Sequence, residues 1–130
     1  MTGLLLAALL IAPVSGEVRV KPRGGAFAPL TAGQNVDYGT TVDATRGTVK
    51  IVPSATQKAL AKGAVFTLTQ SGDMTVLKTT SCRHTFTVST RTGGFITRTG
   101  KLTITAREDA KWRVSNHCHK LTVLRGTVIG

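Results

Sequence analysis

The stretch KLTITAREDAKWRVS, residues 101–115, carries the pattern on which the fold turns. Leu102, Ile104 and Ala106 alternate with polar residues, and beyond Arg107 the alternation resumes with Ala110, Trp112 and Val114. A period of two marks a strand with one buried face. The segment therefore reads as two strands joined by a hairpin turn at Glu108 and Asp109.

The same rhythm runs along the chain. EVRVKP (17–22) sets Val18 and Val20 on one side, GTVKIVPS (47–54) Val49 and Ile51, GAVFTLTQ (63–70) Phe66 and Leu68, and CRHTFTVST (82–90) Phe86 and Val88. Thr and Val dominate these runs, as pleated surfaces favour β-branched side chains. PRGGA, TAGQN, TRG, SGD and RTGG punctuate them, supplying glycine for positive φ and polar side chains for turn hydrogen bonds. Only SATQKALAKG (54–63) has the composition for a helical turn or two. The 130 residues suffice for one domain and not for two ordinary ones. The expectation is a single all-β domain, an antiparallel β-sandwich or β-roll.

The chain opens with MTGLLLAALLIAPVSGEV, whose apolar run Leu4–Ala12 is followed by Pro13 and the small residues Val14, Ser15 and Gly16. That is the form of a secretory signal peptide over residues 1–16, cut after Gly16, although no Lys or Arg precedes Leu4. The mature domain would then span 17–130. The run falls short of the about 20 apolar residues that cross a bilayer, so no membrane span is expected in the mature chain. Export makes the protein secreted or extracytoplasmic, in a compartment that oxidises thiols.

Charge narrows the partners. Seventeen Lys and Arg against six Asp and Glu give 17 − 6 = +11. Residues 17–77 hold 7 basic and 4 acidic side chains and residues 78–130 hold 10 and 2, so the excess is concentrated in the second half. Such a chain attracts polyanions in a salt-dependent way. The candidate anion-binding residues are Arg91, Arg98, Lys101, Arg107, Lys111 and Arg113. Of these, Lys101, Arg107, Lys111 and Arg113 sit on the polar phases of the two strands in 101–115, and antiparallel pairing of those strands would gather them. Nucleic-acid binding would want exposed aromatics for stacking. Trp112 and most Phe residues fall on the apolar phases instead, leaving only Tyr38 loosely placed. An envelope protein or an anionic envelope polymer fits better than nucleic acid.

The two cysteines allow three chemistries. Cys82 and His84 share the inward phase of Phe86 and Val88, and a strand continuing from Trp112 and Val114 would turn Cys118 inward too. A Cys82–Cys118 disulfide would close a loop of about 36 residues and stabilise by about 4 kcal/mol on the chain-entropy model. A zinc site from Cys82, His84, His117 and His119 requires the opposite phase at Cys118, so the disulfide is favoured over metal. As a nucleophile, Cys118 in SNHCHKL (115–121) is similar to the Ser-His-Gly-Cys-x-Arg signature of L,D-transpeptidases. However, His117 stands where that motif has glycine, and the nearest earlier histidine is His84. TTSC (79–82) followed by Arg91 resembles the sortase pattern, again without a base placed before it. The scattered acids and the glycine stretches form no active site or nucleotide loop, and no cofactor is implied.

VRVKPRGGAFAPLTAGQNVDYGTTVDATRGTVKIV (18–52) resembles the opening of a FecR-like domain: a G-x-V-x-V strand, F-x-P-L-x-x-G, V-x-x-G-T-x-V-D, then a strand with G-x-V. GGFITRTGKLTITAREDAKWRVSNHCHKLTVLRGTVIG (93–130) resembles the later part of a secreted actinobacterial variant, although Arg107, Glu108, Asp109 and Ala110 replace the usual R-G-T. The resemblance covers residues 17–130 and implies an extracytoplasmic β-domain without catalytic residues, engaged in sensing or binding. The rival class is an exported cysteine transpeptidase with Cys118 as nucleophile. Thiol titration of the unfolded, non-reduced protein is expected to find no free thiol. One reactive thiol per chain would favour the transpeptidase.

Overall fold

The structure is a computed structural model that describes residues 8–81, 85–99, 102–115 and 120–130. Cys82, His84, Lys101, His117, Cys118 and His119 lie outside the described residues, and with them both sulfurs of the expected disulfide and the alternative zinc set.

All regular structure among the described residues is strand. In chain order the strands are β1 (Ala8–Lys21), β2 (Ala28–Pro29), β3 (Gln34–Asp37), β4 (Thr41–Ser54), β5 (Gln57–Lys62), β6 (Val65–Ser71), β7 (Met74–Ser81), β8 (Phe86–Thr90), β9 (Phe95–Arg98), β10 (Thr103–Ala106), β11 (Ala110–Ser115) and β12 (Lys120–Arg125). No helix here is long and apolar enough to cross a membrane. The all-β expectation is met by one curled sheet, mostly antiparallel, with β7 and β9 pairing in parallel.

The sheet is organised by β4. One edge pairs with β1 along nearly its whole length. The other edge is divided, Thr41–Asp43 pairing with β6 and Thr48–Ser54 with β5. Two arms therefore leave the same strand: β6, β7, β9 and β10 in one, β5, β8, β11 and β12 in the other. They curl face to face around the core. Phe66 of β6 stacks on Phe86 of β8 with ring centroids 5.5 Å apart. Trp112 of β11, fully buried, donates its indole N–H to Thr97 Oγ1 of β9 at 3.2 Å. Mutual Thr105–Ile129 backbone bonds of 2.7 and 2.9 Å join β10, at one end of the sheet, to the tail that follows β12, at the other.

This topology overturns the hairpin read at 101–115. β10 pairs with β9, whereas β11 lies between β8 and β12, so Arg107–Asp109 carries the chain from one arm to the other. The buried Thr90 hydroxyl fixes that crossing by donating to Glu108 O at 2.9 Å and accepting from Ala110 N–H at 3.2 Å. SATQKALAKG is strand rather than helix over Gln57–Lys62. Its alternation of exposed Lys58, Leu60 and Lys62 with buried Ala59 and Ala61 is satisfied between β4 and β8, and that pairing overrides alanine's helix preference. Gly63 then releases the chain into the other arm at φ +98°, where a Cβ would stand 1.8 Å from Thr85 O.

TRG (45–47), expected as a turn, lies inside β4, where Gly47 faces Gly16 of β1. A Cβ would meet backbone at 2.6 Å on Gly47 and at 2.2 Å on Gly16, so only glycine admits this close approach. Register shifts on both sides leave Val14–Glu17 exposed between two regular halves of β1. The first half falls within the segment expected to be a leader, yet Leu9 and Ile11 are buried in the core, Leu9 paired with Val36 of β3 and Ile11 with both Gln34 of β3 and Ile51 of β4.

Packing and cleavage make opposite demands on this half-strand, and Ile11→Ala separates them. If the strand belongs to the mature fold, the cavity should cost about 2–5 kcal/mol, read as a lower urea midpoint of the protein purified from its native compartment. If residues 1–16 are removed, that midpoint stays unchanged.

Candidate anion-binding face

Strand register decides which cations meet. On the outer side of the β5 arm, one cross-strand row runs Lys50, Leu60, Ser89, Lys111, Arg125, and the next runs Thr48, Lys62, Thr87, Arg113, Thr122. The intervening inward row is Val49, Ala61, Val88, Trp112, Val123. β5, β8 and β11 thus turn apolar residues to the core and, Leu60 apart, lysine, arginine or a hydroxyl to solvent, as two-residue periodicity requires, whereas Val123 on the outermost strand β12 is itself exposed. Adjacent strands are about 4.8 Å apart, so the five-strand face is about 19 Å wide.

At the β4–β5 turn end of the face lies a groove of about 540 Å³ lined by Lys50, Ala55, Thr56, Lys58, Ala59, Leu60, Ser89, Arg91 and Thr92. Arg91 is held beside Lys58 by its backbone N–H, which donates to Lys58 O at 3.1 Å. None of the six acidic residues of the chain lines the groove. Among the described residues only two ion pairs form, Arg19–Asp43 at 2.9 Å and Arg125–Asp109 at 2.7 Å. Lys50, Lys58, Lys62, Arg91, Lys111 and Arg113 therefore have no carboxylate partner. Arg125 also reaches over β11 to donate to Ser89 Oγ at 3.2 Å, which brings a further guanidinium to the groove's rim.

The expected residues divide. Arg91, Lys111 and Arg113 lie on this face, but β8 and β11 gather them rather than a β10–β11 pair. Arg98 is on the other arm beside Lys78, its parallel partner on β7. Arg107 borders a separate depression with Asp73 and Gly94, and Lys101 is outside the described residues. Lys50, Lys58, Lys62 and Arg125 were absent from the sequence-derived set. Lys50 occupies the polar phase of GTVKIVPS, and Lys58 and Lys62 would have joined it had QKALAK been read as strand.

A third depression, lined by Glu17, Arg19, Asp43, Thr45 and Arg46, is charge-balanced. Burial alone would raise the Asp43 carboxyl, but hydrogen bonds from Thr45 and Arg19, together with the guanidinium's charge, outweigh it and hold the carboxyl below its usual range. Nearby, the half-exposed Phe27 ring lies under both Arg19 and Lys21, with their charged ends 5.2 and 5.9 Å from its centroid. These contacts tie β1 to β4 and to the loop after β1, and Glu17 and Arg46 at the margin of the depression carry opposite charges, so it has no net charge to draw an anion.

Comparison with family models, curated proteins and solved structures finds no match.

Folded Asp43 binds its proton less tightly than the unfolded chain does, so its stabilising contribution is present above the unfolded value of about 3.9 and is lost as pH falls through the lower folded value. Asp43→Asn should therefore lower the urea midpoint at neutral pH, and the gap from the wild type should close in strong acid. A gap independent of pH would contradict the assignment.

Proposed function

We propose that the protein is a non-enzymatic binding domain of FecR-like type that acts outside the cytoplasm. It holds an anionic envelope polymer on the outer face of β5, β8 and β11. The observation that carries this reading is the groove of Lys50, Lys58 and Arg91, bordered by Lys62, Lys111 and Arg113, without an opposing carboxylate. Like charges within a Debye length of about 8–10 Å repel one another, so the face costs stability until an anion covers it. A fold needing only a solvated surface would gain from interspersed carboxylates, which this face lacks apart from Asp109.

The extracytoplasmic location rests on the apolar opening and on the cysteine pair. The Cys82–Cys118 bridge rests on the even cysteine count and on the inward phases that the sequence pattern gives both residues. The FecR-like assignment rests on the residue patterns at 18–52 and 93–130.

Immobilised heparin, a model acidic glycan, is expected to retain the protein at low salt and release it as salt rises. Lys58→Glu combined with Arg91→Glu should weaken binding by about tenfold or more, since two favourable charge contacts become repulsive. The control pair Lys78→Glu with Arg98→Glu makes the same charge change on the other arm and should have the smaller effect. Equal losses from both pairs, or retention indifferent to salt, would reject the proposed face.

A further inference from the structure

The groove at the β4–β5 end of the basic face is not uniformly polar, and this points to one kind of anion. Leu60 is 39% exposed in the middle of it, although every other outward residue of β5 between Lys58 and Lys62 is charged. Strand register sets Lys50 beside Leu60 on one flank and Ser89 on the other. Lys58 and Lys62 precede and follow it on the same face of β5, and Arg91 stands next to Lys58. An apolar side chain is thus ringed by cations, with Thr56, Ser89 and Thr92 contributing hydroxyls at the margin.

A ligand made only of charge would gain nothing from Leu60 and would be better served by a lysine there. The arrangement suits a ligand that presents anionic groups around an apolar surface, so that one contact is covered while the others are neutralised. The spacings agree with a chain of sugar rings. Lys58 and Lys62 are separated by four residues of strand, about 13 Å, and Lys50 and Arg91 by two strand spacings and two residues along the strand, about 12 Å. Those distances exceed the separation of neighbouring phosphates in a polyphosphate and leave room for a ring between anionic substituents. A pyranose ring has an apolar C–H face for Leu60 and equatorial hydroxyls for Ser89 and the threonines.

Resting on the binding function proposed above, we infer that this groove is a subsite for an acidic glycan. One sugar ring packs on Leu60, and its neighbours' carboxylate or sulfate groups engage Lys50, Lys58 and Arg91. Polyphosphate is thereby disfavoured as its natural occupant.

The test compares two probes on the full chain by calorimetry: a heparin-derived octasaccharide and inorganic polyphosphate of matched charge. Leu60→Ser keeps every cation and changes a partly exposed position. It should weaken the octasaccharide about fivefold, the loss expected when a leucine contact of about 1 kcal/mol disappears, while polyphosphate changes less than about twofold. Leu60→Met, which restores apolar surface, should bind the octasaccharide like the wild type. The inference is overturned if Leu60→Ser leaves both probes unchanged, or weakens both alike. If octasaccharide binding is lost on Lys58→Glu with Arg91→Glu yet survives Leu60→Ser intact, general polyanion binding stands and the glycan subsite falls. If neither probe binds the wild type, both fall.

Discussion

An indole N–H buried between two arms of one sheet must find an acceptor, and here it finds the hydroxyl of Thr97. Trp112 stands on β11 and Thr97 on β9, strands at opposite ends of a path through β8, β5, β4, β6 and β7. Leaving that donor unpaired in the core would cost about 1–3 kcal/mol, so the bond fixes how the arms register as well as adding to stability. The Phe66–Phe86 stack and the Thr105–Ile129 bridge hold the same closure at two other places. Once the arms are closed, the inner phases of β5, β8 and β11 are committed to the core. The outer phase of the β5 arm is then left to carry lysine and arginine.

Division of β4 explains the rest of the architecture. A strand of 14 residues is long enough to offer each half of one edge to a different partner, while β1 runs along the other edge as a continuous support. Gly16 and Gly47 sit where the β1–β4 ribbon must bend, and Gly63 where the chain passes from one arm to the other. Glycine is needed at these positions for steric reasons, because a Cβ would meet backbone and not a side chain able to move.

Much of the strand content was legible because period-two alternation is a local property. Val18 and Val20, Val49 and Ile51, Phe66 and Leu68, and Trp112 and Val114 all point inward as their spacing requires. β7 and β9 were not legible. Val76 and Leu77 are both buried, as are Phe95, Ile96 and Thr97, so strands covered on both faces show no alternation to read. Strand order was hidden for another reason. A short link such as Arg107–Asp109 looks the same whether it joins neighbours in a sheet or crosses between layers, and the buried Thr90 hydroxyl that settles the matter is far away in sequence. The candidate site inherited that error. It was sought in the basic second half of the chain, whereas the face is assembled from β4, β5, β8 and β11, and three of its lysines come from residues 50–62.

The central claim is that folding gathers cations from separate stretches of chain onto one outer face, and that this face binds anions. Backbone amide NMR during titration with a heparin-derived oligosaccharide tests it most directly. The account predicts that the largest shift changes trace Lys50, Lys58, Leu60, Ser89, Arg91 and Lys111 across the β5 arm. Changes concentrated around Lys78 and Arg98 on the other arm, or at the Phe27 loop, would contradict it.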